Sequence, residues 1–285
     1  MPITYNELYI ETRRRFRDAG IEAHDLEARL IVAHAAGKAP ARLLADLRLY
    51  TSDQVAQTVE TLAARRLAGE PVAYITGSWE FYGLPLKITP DVLIPRSDTE
   101  VLVDTALSLA EARGGGVRIL DLCTGSGCIG CALASRLPAA HVVLLDLSPK
   151  ALEVARENLR SCGLGTRAVA MEADAMAEPD TKLGSFDMIV SNPPYIAPQE
   201  IETLDPSVKD YEPRMALDGG KDGLDFYRSI AFRWKKLLRA SGHLVFEVGE
   251  TQAEQVMHIL RLAGFRGIGS EKDTAGIQRV VYGRV

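Results

Sequence analysis

The sequence predicts an α/β protein: a doubly wound, mainly parallel sheet of seven strands, with a small all-α N-terminal domain and a connecting β-hairpin. Three observations carry this. From Val117 onward, short apolar runs alternate with segments of helical period. Such alternation, with right-handed crossovers, gives a mainly parallel sheet covered by helices. A glycine-rich loop, Gly125-Ser126-Gly127-Cys128-Ile129-Gly130, joins the first of these runs to its helix. A later run, Phe186–Ser191, ends abruptly at Asn192-Pro193-Pro194-Tyr195.

The elements follow in order. Residues 1–75 read as a helical domain. Tyr5, Leu8, Tyr9, Thr12 and Phe16 share one helix face, and Gly20 ends that helix. Leu26, Leu30, Ile31 and Ala33 line a second helix closed by Gly37, and Pro40–Leu47 suggests a short third. Ser52 is a candidate N-cap, and Val55, Val59, Leu62 and Leu67 follow at helical spacing before Gly69. Arg13, Arg14, Arg15 and Arg17 read as a solvated face, with docking of an acidic or RNA-bearing partner as the minority reading. Residues 76–95 are expected to form the linking hairpin, with Glu80–Ile88 and Val92–Pro95 paired around Thr89-Pro90-Asp91.

Residues 96–285 form the sheet domain. Ser97 or Asp98 can cap a helix over Val101–Arg113, and Gly114-Gly115-Gly116 is a flexible break. Strands are expected at Val117–Leu122, His141–Leu145, Arg167–Glu172, Phe186–Ser191, His243–Val248, Phe265–Gly269 and Gln278–Tyr282. Helices are expected at Ile129–Leu137, Lys150–Leu159, Asp225–Ala240 and Thr251–Ala263.

The totals exclude several classes. A hydrophobic content of 47% and a charged content of 25% are ordinary for a globular protein. No apolar run reaches the ~18–20 residues of a membrane span. The start, Met1-Pro2-Ile3-Thr4-Tyr5, shows no signal-peptide pattern, so a cytoplasmic location is expected. A net charge of −5 argues against a duplex-DNA binder. Cys123, Cys128 and Cys131, with Cys162 further on, resemble a plant-type iron–sulfur spacing. The first three, however, sit in the glycine loop and its helix, which a cluster would displace. The histidines show no metal-ligand spacing, so no metal is expected.

The chemistry concentrates at two strand ends. Glycines in the loop let a ligand approach the backbone. Asp146 ends the next strand about twenty residues on, where a carboxylate can accept both ribose hydroxyls. By itself this pattern equally suits an NAD-dependent oxidoreductase. Asp121, just upstream of the loop, is a poor neighbour for a pyrophosphate and a good one for a cation such as S-adenosylmethionine. Asp174, after the third strand, is placed either to reach an adenine edge, with Ala175 beside it, or to cap the following turn. The two prolines after Asn192 cannot continue a central strand and stiffen the backbone. That corner offers an amide acceptor, backbone carbonyls and an aromatic face, a set suited to a flat NH2-bearing group.

Asp121–Gly127 with Asp146 and Asn192–Tyr195 resembles the class I, Rossmann-like S-adenosylmethionine methyltransferases that modify planar NH2 groups. Three further stretches narrow this: Pro71–Gly77, Val92–Glu100, and Glu212-Pro213 followed by Ala216–Leu224. Together they resemble the release factor glutamine methyltransferase family over nearly the whole chain. The resemblance implies methylation of the glutamine amide in the Gly-Gly-Gln tip of peptide chain release factors, a step of translation termination. It implies that Asp121, Cys123, Thr124, Gly125, Ser126 and Gly127 serve the methionine and ribose, with Asp146 holding the ribose. Asp174 and Ala175 would border the adenine, and Asn192, Pro193, Pro194 and Tyr195 would hold the glutamine. Asn192, Pro193 and Tyr195 would act catalytically, and Asn192 would also border the cofactor. Cys123 stands where the family usually has Gly, Ser97 where it has Pro, and Ala175 where an aromatic covers the adenine. A monomer that needs neither membrane nor nucleic acid is expected. The alternative within the same chemistry is a DNA or RNA amino-methyltransferase acting on an exocyclic amine.

Overall fold

The computed structural model describes residues 3–114 and 116–285. Of the expected Gly114–Gly116 break, Gly115 lies outside the described residues. The chain divides into two compact units. One runs to Ser78 and takes in Pro206–Tyr211; the other comprises Trp79–Asp205 and Glu212–Val285.

The first unit contains α1 (Tyr5–Asp18), α2 (His24–Ala35), α3 (Pro40–Asp46), α4 (Asp53–Leu67) and α5 (Val72–Thr76). Thr4 and Glu7 cap α1 reciprocally, and Ser52 caps α4 through the Val55 N–H at 3.3 Å. Phe16, Ile31, Leu43 and Val59 are buried as its core. The arginine cluster is matched by acids: Arg13 with Asp25, Arg14 with Glu11, Arg15 with Glu60 and Arg17 with Asp18. This is the solvated face that the composition suggests. The Tyr211 hydroxyl of the returning segment donates to the Ala68 carbonyl at 3.2 Å.

The hairpin differs from expectation. Its strands are β1 (Ser78–Phe81) and β2 (Leu84–Lys87), not Glu80–Ile88 against Val92–Pro95. The turn falls at Tyr82-Gly83, both with positive φ (53° and 76°), as a two-residue hairpin with the twist of its strands requires. Val92–Pro95 lies outside the strands, and Glu212 holds it: the Ile94 N–H donates to the Glu212 carboxylate at 3.1 Å, and Arg96 pairs with the same group.

After α6 (Glu100–Glu111), the second unit alternates β3 (Arg118–Leu122), α7 (Cys128–Arg136), β4 (His141–Asp146), α8 (Pro149–Ser161), β5 (Ala168–Glu172) and β6 (Phe186–Ser191). It closes with α9 (Asp225–Arg233), β7 (Leu238–Glu247), α10 (Ala253–Leu262), β8 (Arg266–Lys272) and β9 (Gln278–Arg284). The seven-stranded sheet has the order β5-β4-β3-β6-β7-β9-β8. Pairing is parallel from β5 to β7 and antiparallel at β9 and β8. The helix expected over Asp225–Ala240 stops at Arg233, tightens through Trp234–Leu237, and gives way to strand at Leu238. Leu238 pairs with Phe186, and the chain bulges before His243 meets Met188. Ser241 takes a positive φ of 61° in that bulge.

Register decides what the sheet presents. Leu122 pairs with Ser191, and Ser191 pairs with Phe246. The residues that follow, Cys123, Asn192 and Glu247, therefore stand side by side at the carboxyl edge. The strand order reverses between β3's two neighbours, β4 and β6, and ligands bind at such a switch point. Among the described residues, no helix is long and apolar enough to cross a membrane.

Candidate active site

The loop after β3 is held from below. Asp121 is fully buried, and its Oδ2 accepts from the Thr124 hydroxyl at 2.5 Å and the Gly130 N–H at 3.0 Å. Its Oδ1 has no partner, and burial pushes its carboxyl up to about 7. Gly130 must lack a side chain, because a Cβ there would lie 2.7 Å from Leu144 Cγ and 3.0 Å from Asp121 Oδ2. The loop itself turns through left-handed residues at Cys123, Gly125 and Gly127. Cys123 adopts φ 58°, a conformation that suits the glycine usual at this place and strains a residue with a Cβ.

Asp146 ties this loop to the next. Its Oδ2 accepts from the Gly125 N–H at 2.8 Å and its Oδ1 from the Ser148 N–H at 2.9 Å. Burial raises its pKa, opposed by those backbone donors. Asp174 caps the turn, its Oδ1 accepting from the Met176 N–H at 2.8 Å, and also faces the cleft.

The proline corner is braced on several sides. The Ser191 hydroxyl donates to the Leu122 carbonyl at 2.7 Å. The Tyr195 carbonyl accepts from the Gln252 amide at 2.9 Å. Ile196 donates to the Leu217 carbonyl and accepts from the Gly219 N–H, both at 2.9 Å. A Cβ on Gly219 would sit 2.6 Å from Tyr195 Cα, so the strap 217–223 passes directly against the corner. This gives a physical reason for the glycines in that stretch.

These parts surround a cleft of about 220 Å³. Its walls bring together Cys123, Gly125, Asp146, Asp174, Ala175, Asn192 and Pro194 from the sequence-predicted set. Asp121 is buried beneath the loop, with Thr124 at its start and Ser126 within it also buried. Gly127, Pro193 and Tyr195 also stand outside the lining; the phenol of Tyr195 is raised to about 12, chiefly by burial. The walls hold residues that sequence reasoning missed: Val92, Leu93, Leu147, Pro213, Met215 and Phe226. Val92 and Leu93 belonged to an expected strand, and nothing in an apolar residue on a helix such as Phe226 announces a ligand.

The lining carries three carboxylates, Asp91, Asp146 and Asp174, and no Lys, Arg or His. Apolar walls with a few convergent acceptors suit a purine nucleoside. Lys150 pairs with Asp91 at 3.1 Å, which leaves Asp146 and Asp174 as the lining carboxylates without a cationic partner among the described residues; such a lining disfavours a pyrophosphate and attracts a positively charged ligand. The residues therefore fit S-adenosylmethionine, with its sulfonium and amino group, better than a dinucleotide.

Comparison with known proteins agrees with this geometry. Residues 7–77 match the PrmC N-terminal domain family, and residues 98–205 match the methyltransferase small domain family. A release factor glutamine methyltransferase from Rhodospirillum rubrum is 42% identical over 95% of this chain and 82% of its own. One from Geobacter sulfurreducens is 41% identical over 96% of this chain and 94% of its own. The crystal structure of a methyltransferase from Pyrococcus furiosus covers 79% of this chain and 98% of its own, with a TM-score of 0.51 and 17% identity. The last is a likeness of fold, that of the class I methyltransferases.

Proposed function

The chain belongs to the release factor glutamine methyltransferase family, and we propose that it transfers a methyl group from S-adenosylmethionine to the side-chain amide nitrogen of the glutamine in the Gly-Gly-Gln motif of peptide chain release factors. The observation that carries this reading is the meeting of an acidic cleft, lined by Asp146 and Asp174, with a rigid Asn-Pro-Pro corner.

In this reading, Cys123 and Gly125 border the methionine and ribose, and Asp146 accepts from the ribose hydroxyls. Asp174 and Ala175 border the adenine. S-adenosylmethionine, when bound, supplies an electrophilic methyl group on a positively charged sulfur. An amide nitrogen is a poor nucleophile because its lone pair is shared with the carbonyl. Asn192 Oδ1 and the Pro193 carbonyl accept the two N–H bonds of the glutamine. These hydrogen bonds strengthen as the nitrogen becomes positive, so they favour the transition state over the ground state. Tyr195 packs against the amide plane, and alignment of the reacting atoms contributes the remainder. A bond from nitrogen to methyl forms as the sulfur–methyl bond breaks, and the acidic methylated nitrogen gives its proton to water. With this reading go a cytoplasmic, monomeric enzyme acting in translation termination and a helical unit that recognises the release factor.

The test is incubation with S-adenosylmethionine and a release factor, followed by mass spectrometry of the tip peptide. The expected product is one methyl on the glutamine, absent when that glutamine is replaced by alanine. Transfer to DNA or RNA with none to the release factor overturns the reading.

A further inference from the structure

Asn192 ends in an amide whose two halves have nearly the same shape and opposite hydrogen-bonding character. Only one orientation serves the reaction, and something must select it. Glu247 follows Phe246 at the end of β7, beside Asn192, and is 3% exposed. Thr99 and Asn192 are the polar side chains beside its carboxyl group that favour its ionised form. Asn192 Nδ2 also donates to the Thr99 hydroxyl oxygen at 3.4 Å. Glu247 Oε2 is buried with no partner at all. A carboxylate left this way in an apolar strand end costs stability, so its presence calls for a reason.

Resting on the methyl-transfer reading above, we propose that Glu247 is a positioning residue: with Thr99 it holds the Nδ2 end of Asn192, so that Oδ1 faces the cleft and accepts the N–H of the substrate amide. An ionised carboxylate accepts hydrogen bonds and cannot donate them. It therefore anchors the NH2 end of Asn192 and repels the oxygen. The flipped amide would place Oδ1 against the carboxylate and turn NH2 toward the NH2 of the substrate, losing both hydrogen bonds.

Protonation would undo this selection, because a carboxylic acid can donate to Oδ1. Burial pushes the Glu247 carboxyl up to about 7, against the pull of Thr99, Arg279 and Asn192. Asp98, Tyr195, Tyr227 and Cys128 face the same group from neighbouring elements. Arg279 is itself shared with Asp98 at 3.3 Å and Asp273 at 2.9 Å, so it does not neutralise Glu247 alone. The rate is accordingly expected to fall on acidification through about pH 7.

The test compares wild type, Glu247→Gln and Thr99→Val on a release factor. Calorimetry with S-adenosylhomocysteine and thermal melting accompany the rates. Gln at position 247 keeps the shape but can donate as well as accept. Its kcat is expected to fall about tenfold or more, as when an orienting partner is lost, with cofactor affinity nearly unchanged and the acid limb of the pH–rate profile flattened. Thr99→Val, which keeps the carboxylate, is expected to lower kcat in the same direction, and it carries the test should Glu247→Gln not fold. Variants with wild-type kcat and an unaltered pH profile overturn the positioning role while leaving the methyl-transfer reading in place. A wild type that binds S-adenosylhomocysteine but methylates no release factor overturns that reading and this inference with it.

Discussion

Replacing Gly219 with alanine tests whether the proline corner is the part of the molecule on which the rate depends. The added Cβ would lie 2.6 Å from Tyr195 Cα and 2.8 Å from both the Pro194 carbonyl oxygen and the Tyr195 carbonyl carbon. Ordinary contact begins at 3.4 Å, so the corner and the strap 217–223 must separate by up to 0.8 Å. All three atoms are backbone, and no side-chain rotation relieves the contact. The strap is tied through the Gly219 N–H to the Ile196 carbonyl at 2.9 Å, so part of the displacement passes into the corner itself. A misplacement near 1 Å in a positioned reaction costs about 10²-fold in rate. Overpacking of this kind costs about 1–3 kcal/mol of stability. Gly219→Ala is therefore expected to lower kcat for release factor methylation by about 10²-fold. S-adenosylhomocysteine binding by calorimetry should change little, because Gly219 is not part of the cleft wall. Gly165→Ala is the matched control, since a Cβ there meets nothing within 4 Å. Gly219→Ala with wild-type kcat and only a lowered melting temperature would refute the reasoning, for it would show that the corner can move without consequence.

Asn192→Ala is expected to keep cofactor affinity and lower the methylation rate ~10²-fold or more, the usual cost of one transition-state hydrogen bond; equal rates on a release factor would remove its catalytic role. Asp146→Ala is expected to weaken S-adenosylhomocysteine binding about tenfold or more in calorimetry, by loss of acceptors for the ribose; an unchanged dissociation constant counts against the placement of the ribose. Stability should depend on pH through Asp121 and Glu247. Both carboxyls are raised to about 7 by burial, so the folded protein holds protons that the unfolded chain releases above pH ~4. Their contribution is complete below pH ~4 and is lost as pH rises through about 7, on the order of 4 kcal/mol for Asp121 and about 3 kcal/mol for Glu247. Chemical denaturation at pH 5 and pH 8 reads this, and greater stability at pH 8 would contradict it.

Much of this architecture is legible in the sequence because its signals are local. Phe186–Ser191 is an uninterrupted buried run bounded by a turn and two prolines, and its strand has the expected limits. The glycine loop, Asp146 and Asp174 are found because backbone approach and carboxylates have recognisable spacing. What escaped depends on pairing. Leu237 and Leu238 fit a helical face, yet Leu238 is drawn into the sheet by Phe186. The hairpin turn was expected at Thr89-Pro90-Asp91 because proline and aspartate mark turns. Tyr82-Gly83 makes it instead, and a tyrosine with positive φ gives no warning of itself. Thr99 and Glu247 are 148 residues apart in sequence, and Glu247 comes beside Asn192 only through the pairing of β7 with β6. A signal for Glu247 does exist: a lone acid inside the apolar run Leu244-Val245-Phe246-Glu247-Val248, at the end of a central strand.

Cys123 brings the electrostatics of the cleft to a single point. A thiolate beside a methyl donor would itself be a methyl acceptor, since thiolates are stronger nucleophiles than amides. The side chain lines the cleft, so access does not protect it. Charge does. Burial pushes the Cys123 thiol well up, and Asp146, Asp121 and Asp174 push it in the same direction, against a weaker pull from Ser191. The carboxylates that favour a cationic cofactor thus add to the effect of burial in keeping the neighbouring sulfur protonated. The same electrostatics explains how cysteine can stand at a left-handed position where glycine is the easier residue. Its cost is backbone strain of about 1–2 kcal/mol, and it introduces no competing nucleophile. Ala175 admits a parallel argument. It offers the cleft no ring, but Phe226 of α9 lines the same cleft, so an aromatic side chain is supplied from another element. Both departures from the family pattern leave the site's charge and its acceptors in place, and on those the transfer depends.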